Sequence, residues 1–130
     1  MTNSQWQIFL QTCRRHLGKG ASQPFLSDSW CAFTTYTSLR HGVNYWNCGF
    51  PDEEEVLDDR TGDGGLWSQS FLFADMAHIV VPAEFYWENF DGSDFLNGYK
   101  KQDIFGLSNL LTTSQIPHRV SPLVLEVKLY

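Results

Sequence analysis

The chain has 130 residues, 42% hydrophobic and 15% aromatic, with a formal net charge of −6. That is enough chain for one domain with a core, and it is far too apolar for a disordered tail. Its longest apolar runs, such as Ile79-Val80-Val81, fall well short of the roughly 18–20 residues of a membrane span, and three widely spaced cysteines (Cys13, Cys31, Cys48) do not suggest a disulfide framework.

The opening Met1-Thr2-Asn3-Ser4-Gln5 has neither the basic region nor the apolar stretch of an export signal. A cytoplasmic protein with reduced thiols is therefore expected. Ser4 and Gln7 have the spacing of a capping box. Trp6, Phe9, Leu10, Cys13 and Leu17 then recur at helical spacing, Arg14, Arg15 and His16 suit a last turn, and Gly18 is a natural stop. Residues 30–39 are aromatic, β-branched or small, with Phe33, Thr35, Thr37 and Leu39 alternating, which predicts a strand. A turn at Arg40-His41-Gly42 returns the chain into a second strand over 43–48.

Residues 52–65 combine an acidic run with Thr61-Gly62-Asp63-Gly64-Gly65 and offer little to pack. A mobile surface loop is expected there, or a short helix around 53–57 followed by one. Strands are predicted over 66–73, 77–81 and 84–88, and a loop over 89–98, which holds two glycines and two aspartates. Residues 102–114 form a second helix with Ile104, Leu107, Leu110 and Leu111 inward, and Pro117 bars its continuation. Two strands, 116–120 and 123–130, close the chain around Ser121-Pro122. The expected architecture is a single α+β domain over residues 1–130. It has a mainly antiparallel sheet, an N-terminal helix, and a second helix before a C-terminal β-hairpin.

Charge is unevenly spread. Twelve acids against one base, Arg60, give residues 52–94 a net charge of −11, and the remainder of the chain carries +5. Such a field repels nucleic-acid phosphates, so direct nucleic-acid binding is not expected, and it attracts a basic partner. Asp52, Glu53, Glu54, Glu55, Asp58, Asp59 and Asp63 form the first group, and Glu84, Glu88, Asp91 and Asp94 the second. In a strand, Glu84, Tyr86 and Glu88 share one face while Phe85 and Trp87 share the other. A ring beside carboxylates suits a basic, partly apolar protein surface, the ring giving contact area and the acids giving steering. All twelve of these residues are candidate partner contacts.

Catalytic and cofactor motifs are weak by comparison. Gly18-Lys19-Gly20 and Gly62-Asp63-Gly64-Gly65 match neither a phosphate loop nor a dinucleotide fingerprint. The four histidines are far apart, with no metal-ligand spacing, and a calcium loop begun at Asp59 has Ser70 where the bidentate Glu belongs. Asp75 and His78 could meet on a turn. Glu84 and Glu88 would lie roughly 13–14 Å apart on a straight strand, too far for either glycosidase geometry. The cysteines read as small core residues. No catalytic residue, metal or cofactor is expected.

The acidic run over 52–63, the acidic-aromatic segment over 84–94 and the C-terminal layout resemble small bacterial immunity proteins of the contact-dependent inhibition or polymorphic toxin type. That layout runs from Gln102-Asp103-Ile104 through Leu110-Leu111 and Ile116-Pro117-His118-Arg119 to Val124-Leu125-Glu126-Val127-Lys128-Leu129-Tyr130. The resemblance implies a non-catalytic cytoplasmic protein that binds one cognate toxin domain, often a basic nuclease, and blocks its active site. Alternatives are a phage-type anti-defence DNA mimic, a small carbohydrate-binding module or enzyme using the five tryptophans and paired acids, and a structural adaptor.

Overall fold

A computed structural model of the chain describes residues 1–46, 49–63 and 69–130. Helix α1, Asn3–Leu17, buries Trp6, Phe9, Leu10, Cys13 and Leu17, the stripe expected from their spacing. It starts earlier than expected. Thr2 Oγ1 accepts from Gln5 N at 3.1 Å, and Gln5 Oε1 accepts from Thr2 N at 2.8 Å. Ser4 and Gln7 have the same spacing, but Gln7 Nε2 donates instead to Leu57 O at 2.8 Å, which ties α1 to the acidic segment.

The strands that follow are β1 (Cys31–Thr35), β2 (Asn44–Trp46), β3 (Arg60–Gly62), β4 (Ser70–Leu72), β5 (Met76–Pro82), β6 (Glu84–Asp91) and β7 (Asp94–Lys101). Helix α2 (Ile104–Thr113) precedes β8 (Arg119–Val120) and β9 (Val124–Lys128). Five strands form an antiparallel sheet in the order β2-β1-β5-β9-β8. The fold is α+β with antiparallel sheets, an N-terminal helix, a second helix and C-terminal strands. Phe33, Ile79, Val81, Leu125 and Val127 of the sheet share one buried cluster with the apolar stripes of both helices. Cys13 and Cys31 lie in that cluster, and Cys48 falls outside the described residues.

Several expectations are corrected. The first strand stops at Thr35, because Thr35 and Ser38 exchange side-chain and backbone hydrogen bonds and turn the chain away. Thr37 and Leu39 are consequently exposed. In α2, Leu110 is exposed and Ser108 is buried. At 3.6 residues per turn Leu110 sits about 100° round from the stripe of Ile104, Leu107 and Leu111. The helix ends before Gln115, which takes a left-handed φ of +58° ahead of Pro117.

The acidic segment is not a loop with little to pack. A short 3-10 turn at Glu53–Glu55 leads into β3, which pairs antiparallel with β4, and Val56, Thr61 and Asp63 are all buried. The expected strand over 66–73 is confined to β4, with 64–68 outside the described residues.

The largest correction falls on residues 89–98, which are not a loop. They belong to a hairpin in which β6 pairs with β7 in unbroken register from Glu84↔Lys101 to Asp91↔Asp94. Gly92, at φ +63°, takes the first central position of the two-residue turn, where a left-handed residue matches strand twist. Gly98 does not break β7, because it gives the Trp87 indole its seat. A Cβ there would lie 3.1 Å from Trp87 Cζ2 and Nε1.

Gln102, immediately after β7, is buried at 6% exposure. Its Nε2 donates to Trp30 O and Pro82 O, both at 3.0 Å, and its Oε1 accepts from Trp30 N at 3.0 Å. Its backbone N donates to Ala83 O at 2.7 Å. One amide thus joins the entry to β1, the end of β5 and the base of the hairpin. Replacing Gln102 with Leu strands three buried backbone groups at a cost of roughly 1–3 kcal/mol or more. Urea unfolding of Gln102→Leu should show a lower midpoint with an unchanged slope; an unaltered midpoint would refute this role.

Candidate functional site

The two acidic groups meet different fates. On the first, Arg14 Nε and Nη2 donate to Asp52 Oδ1 at 3.0 and 2.5 Å, and Arg15 donates to Glu53. Both arginines stand in the last turn of α1, so the helix that packs the core also holds the acidic turn. Arg60 pairs with both oxygens of its neighbour Asp59, at 2.9 and 3.1 Å. Glu55 Oε2 accepts from Asp52 N at 3.0 Å in a second capping box. Asp63 is buried and accepts from Gln69 N at 3.2 Å. Glu54 and Asp58 are exposed. Much of the negative charge between 52 and 63 is therefore engaged in holding the fold.

Hydrogen bonds and ion pairs from these arginines hold the carboxyls of Glu53 and Asp59 below their usual range, Arg15 acting on the first and Arg60 on the second. The charge that looked like a single field in sequence is screened where it was densest.

The second group lies on the hairpin. Glu84, Tyr86, Glu88 and Phe90 alternate along one face of β6, opposite Lys101, Tyr99, Asn97 and Phe95 of β7. Tyr86 packs edge-on against Tyr99 with centroids 5.6 Å apart, and Phe90 against Phe95 at 5.0 Å. All four rings remain exposed, Phe90 at 71% and Tyr99 at 67%. Tyr86 Oη donates to Glu88 Oε2 at 3.1 Å, and desolvation followed by that carboxylate raises the phenol above its ordinary range. On the opposite face Phe85 is buried and Trp87 half-buried, as the alternation predicts. At the tip Asp91 and Asp94 face each other across the closing pair, where like charges cost stability.

The hairpin base is anchored. Lys100 Nζ donates to Phe25 O at 2.8 Å and Ser27 O at 2.9 Å, so this ammonium is committed to the body of the protein. No lysine or arginine occurs between Arg60 and Lys100. The outer ribbon thus presents four rings beside Glu88, Asp91 and Asp94 with no base in its own sequence. Sequence reasoning named Tyr86 and the acids but missed Phe90, Phe95 and Tyr99. Their signal was Phe90-Asp91-Gly92-Ser93-Asp94-Phe95, in which an Asp-Gly turn is flanked symmetrically by aromatics.

Other polar clusters hold the fold. His78 Nε2 lies 2.7 Å from Glu126 Oε2, and Arg119 Nη2 lies 2.7 Å from Glu126 Oε1. Asp75 is engaged by Thr37 N and Oγ1, both at 3.1 Å, so the expected meeting with His78 does not occur. His118 Nδ1 donates to Ile116 O at 2.7 Å, which leaves the Nε2 of the neutral ring to accept from Ser108 Oγ at 2.8 Å. Ser108 is buried on α2, where the pair straps the helix to the segment behind it. Asp103 caps α2, accepting from Gly106 N at 3.0 Å and lying 2.9 Å from His16 Nε2. Among the described residues no group of three His, Cys, Asp or Glu could hold a metal ion. No helix of the described residues is long and apolar enough to cross a membrane.

The chain matches no protein-family model, and comparison with curated proteins and with solved structures returns no significant similarity.

Two outcomes follow. The Asp103 carboxyl is held low by Gly106 N and His16, and that of Glu126 by His78 and then Arg119. A depressed folded pKa contributes stability that is full above the unfolded value of about 4 and fades as pH falls through the folded value. Stability should therefore drop below about pH 5, and Glu126→Gln should flatten part of that acid limb in pH-dependent urea melts. Burial raises the Cys13 and Cys31 thiols well above their ordinary range. Both should resist iodoacetamide in the native protein and react on unfolding, as read by peptide mass mapping.

Proposed function

We propose that this protein is an inhibitor of the immunity type, which binds a basic toxin domain, such as a nuclease, through the β6–β7 hairpin and blocks its active site. The observation that carries this reading is the exposed ring cluster of Tyr86, Tyr99, Phe90 and Phe95 beside Glu88, Asp91 and Asp94. Exposed aromatics grouped on one ribbon mark an interaction surface, because isolated domains do not gain from wetting them. Acids around the rings select a cationic partner and speed encounter. A two-stranded ribbon is narrow enough to enter a cleft shaped for a polyanion, with Asp91 and Asp94 occupying positions a phosphate would take. The mechanism is steric occlusion with charge mimicry and uses no chemistry of the inhibitor's own.

The pairing of Asp52, Glu53 and Asp59 moves the interface away from the acidic run and onto the hairpin. A phage-type anti-defence role would use the same surface, and the identity of the captured protein separates the two.

Copurification from the native host should recover a basic protein in equal amount. Combining Phe90→Ala with Phe95→Ala should weaken that complex at least tenfold, or about 1.4 kcal/mol, while Asp52→Asn with Glu53→Gln leaves affinity within about twofold. Association should slow steeply as salt rises. A complex insensitive to the ring substitutions, or an association rate flat across the salt series, would sink the hairpin as the docking element.

A further inference from the structure

At the unpaired side of β6, a cavity of about 420 Å³ lies between the hairpin and the segment that precedes β1. Pro24, Trp30, Phe85, Tyr86, Trp87 and Glu88 line it. Four of these six residues are aromatic, one is a carboxylate, and none is a base. We propose that this cavity is a cation-binding pocket that takes the guanidinium of an arginine on the protein partner. The inference rests on the inhibitor reading for the source of the arginine, but not for the chemistry of the pocket.

The chemistry follows from the lining. Indole and phenol faces attract a cation through the ring quadrupole, most strongly for Trp. Guanidinium is planar and weakly hydrated, so it can stack on an indole while its N–H fork meets a carboxylate, which a compact ammonium cannot do equally well. Glu88 supplies that carboxylate.

The walls are fixed before any ligand arrives. Gln102 holds Trp30 through both its backbone N and O, and the Trp30 ring packs on Tyr45 with centroids 5.3 Å apart. Trp87 is seated against the bare Cα of Gly98. Tyr86 is held by Tyr99 and by its hydrogen bond to Glu88. Such preorganisation lowers the ordering cost of binding. The neighbouring ammonium, Lys100 Nζ, is committed to the carbonyls of Phe25 and Ser27 and does not compete for Glu88.

The test is a titration of the intact protein, following the Trp30 and Trp87 indole N–H signals by NMR with assignment by Trp→Phe variants. N-acetyl-arginine amide should shift both signals saturably in the millimolar range. N-acetyl-glutamine amide, its neutral counterpart, should leave them in place. Glu88→Gln, a conservative change at an exposed side chain, should weaken the arginine response roughly three- to tenfold without altering the rest of the spectrum.

Equal shifts with the glutamine compound, or none with either, overturn the pocket. Tighter binding of tetramethylammonium than of the arginine compound overturns the guanidinium assignment in favour of a small quaternary ammonium. If the indoles do not respond while the Phe90 and Phe95 substitutions still abolish partner capture, the pocket fails and the inhibitor reading stands. A saturable arginine response with no partner recovered supports the pocket and counts against that reading.

Discussion

A single buried amide holds the molecule in register. Gln102 satisfies Trp30 N, Trp30 O and Pro82 O, and through them it joins three parts of the chain far apart in sequence. An amide suits this position because the backbone groups it meets include both a donor and acceptors, and a carboxylate or an aliphatic side chain would leave some of them unpaired. Its contacts lie at the foot of the hairpin, so the element that presents the rings is anchored by the group that closes the sheet's edge. Lys100 adds a second tether to the same foot. The ribbon beyond, from Phe90 to Asn97, is exposed on both faces and depends on that foundation for its position.

Charge in this protein divides into two kinds of work. The acidic turn after Pro51 is held against α1 by Arg14 and Arg15, and its Glu55 folds back to cap it. Exposed pairs of this kind contribute little each, and their main effect is to fix where the turn lies. The hairpin acids have a different setting. Asp91 and Asp94 face each other with no base nearby in the sequence, an arrangement that costs stability and is relieved by a positive partner. Evenly acidic in sequence, the central third is thus electrostatically unequal in space.

The same inequality organises the aromatics. Trp6, Phe33, Trp46 and Phe73 are spent on the core, where Phe33 and Trp46 pack with centroids 4.3 Å apart. Tyr86, Phe90, Phe95 and Tyr99 pair across the ribbon and stay wet. Cross-strand ring pairs stabilise a two-stranded ribbon that has no sheet behind it, so they both build the hairpin and form its contact surface. A domain that needed these rings only for folding would bury them. The proposed pocket at the edge of β6 extends this surface with a site for a single cation, and the hairpin face and the pocket share Tyr86 and Glu88.

Sequence alone determined the α1 stripe, the α+β order, the core placement of Cys13 and Cys31, and the alternation of Glu84 through Glu88. Each of these follows from local periodicity, which one element imposes on its own side chains. Periodicity and the Asp-Gly turn also carried the hairpin, but two glycines and two aspartates masked it, since composition cannot show that Gly98 is the seat of an indole. Only the tertiary structure decided which acids are paired, because Arg14 meets Asp52 across 38 positions and no local pattern encodes that distance. It likewise decided where Gln102 reaches and that Trp30 and Trp87 share one cavity. Those are contacts between elements, and they exist only once the chain has closed its core.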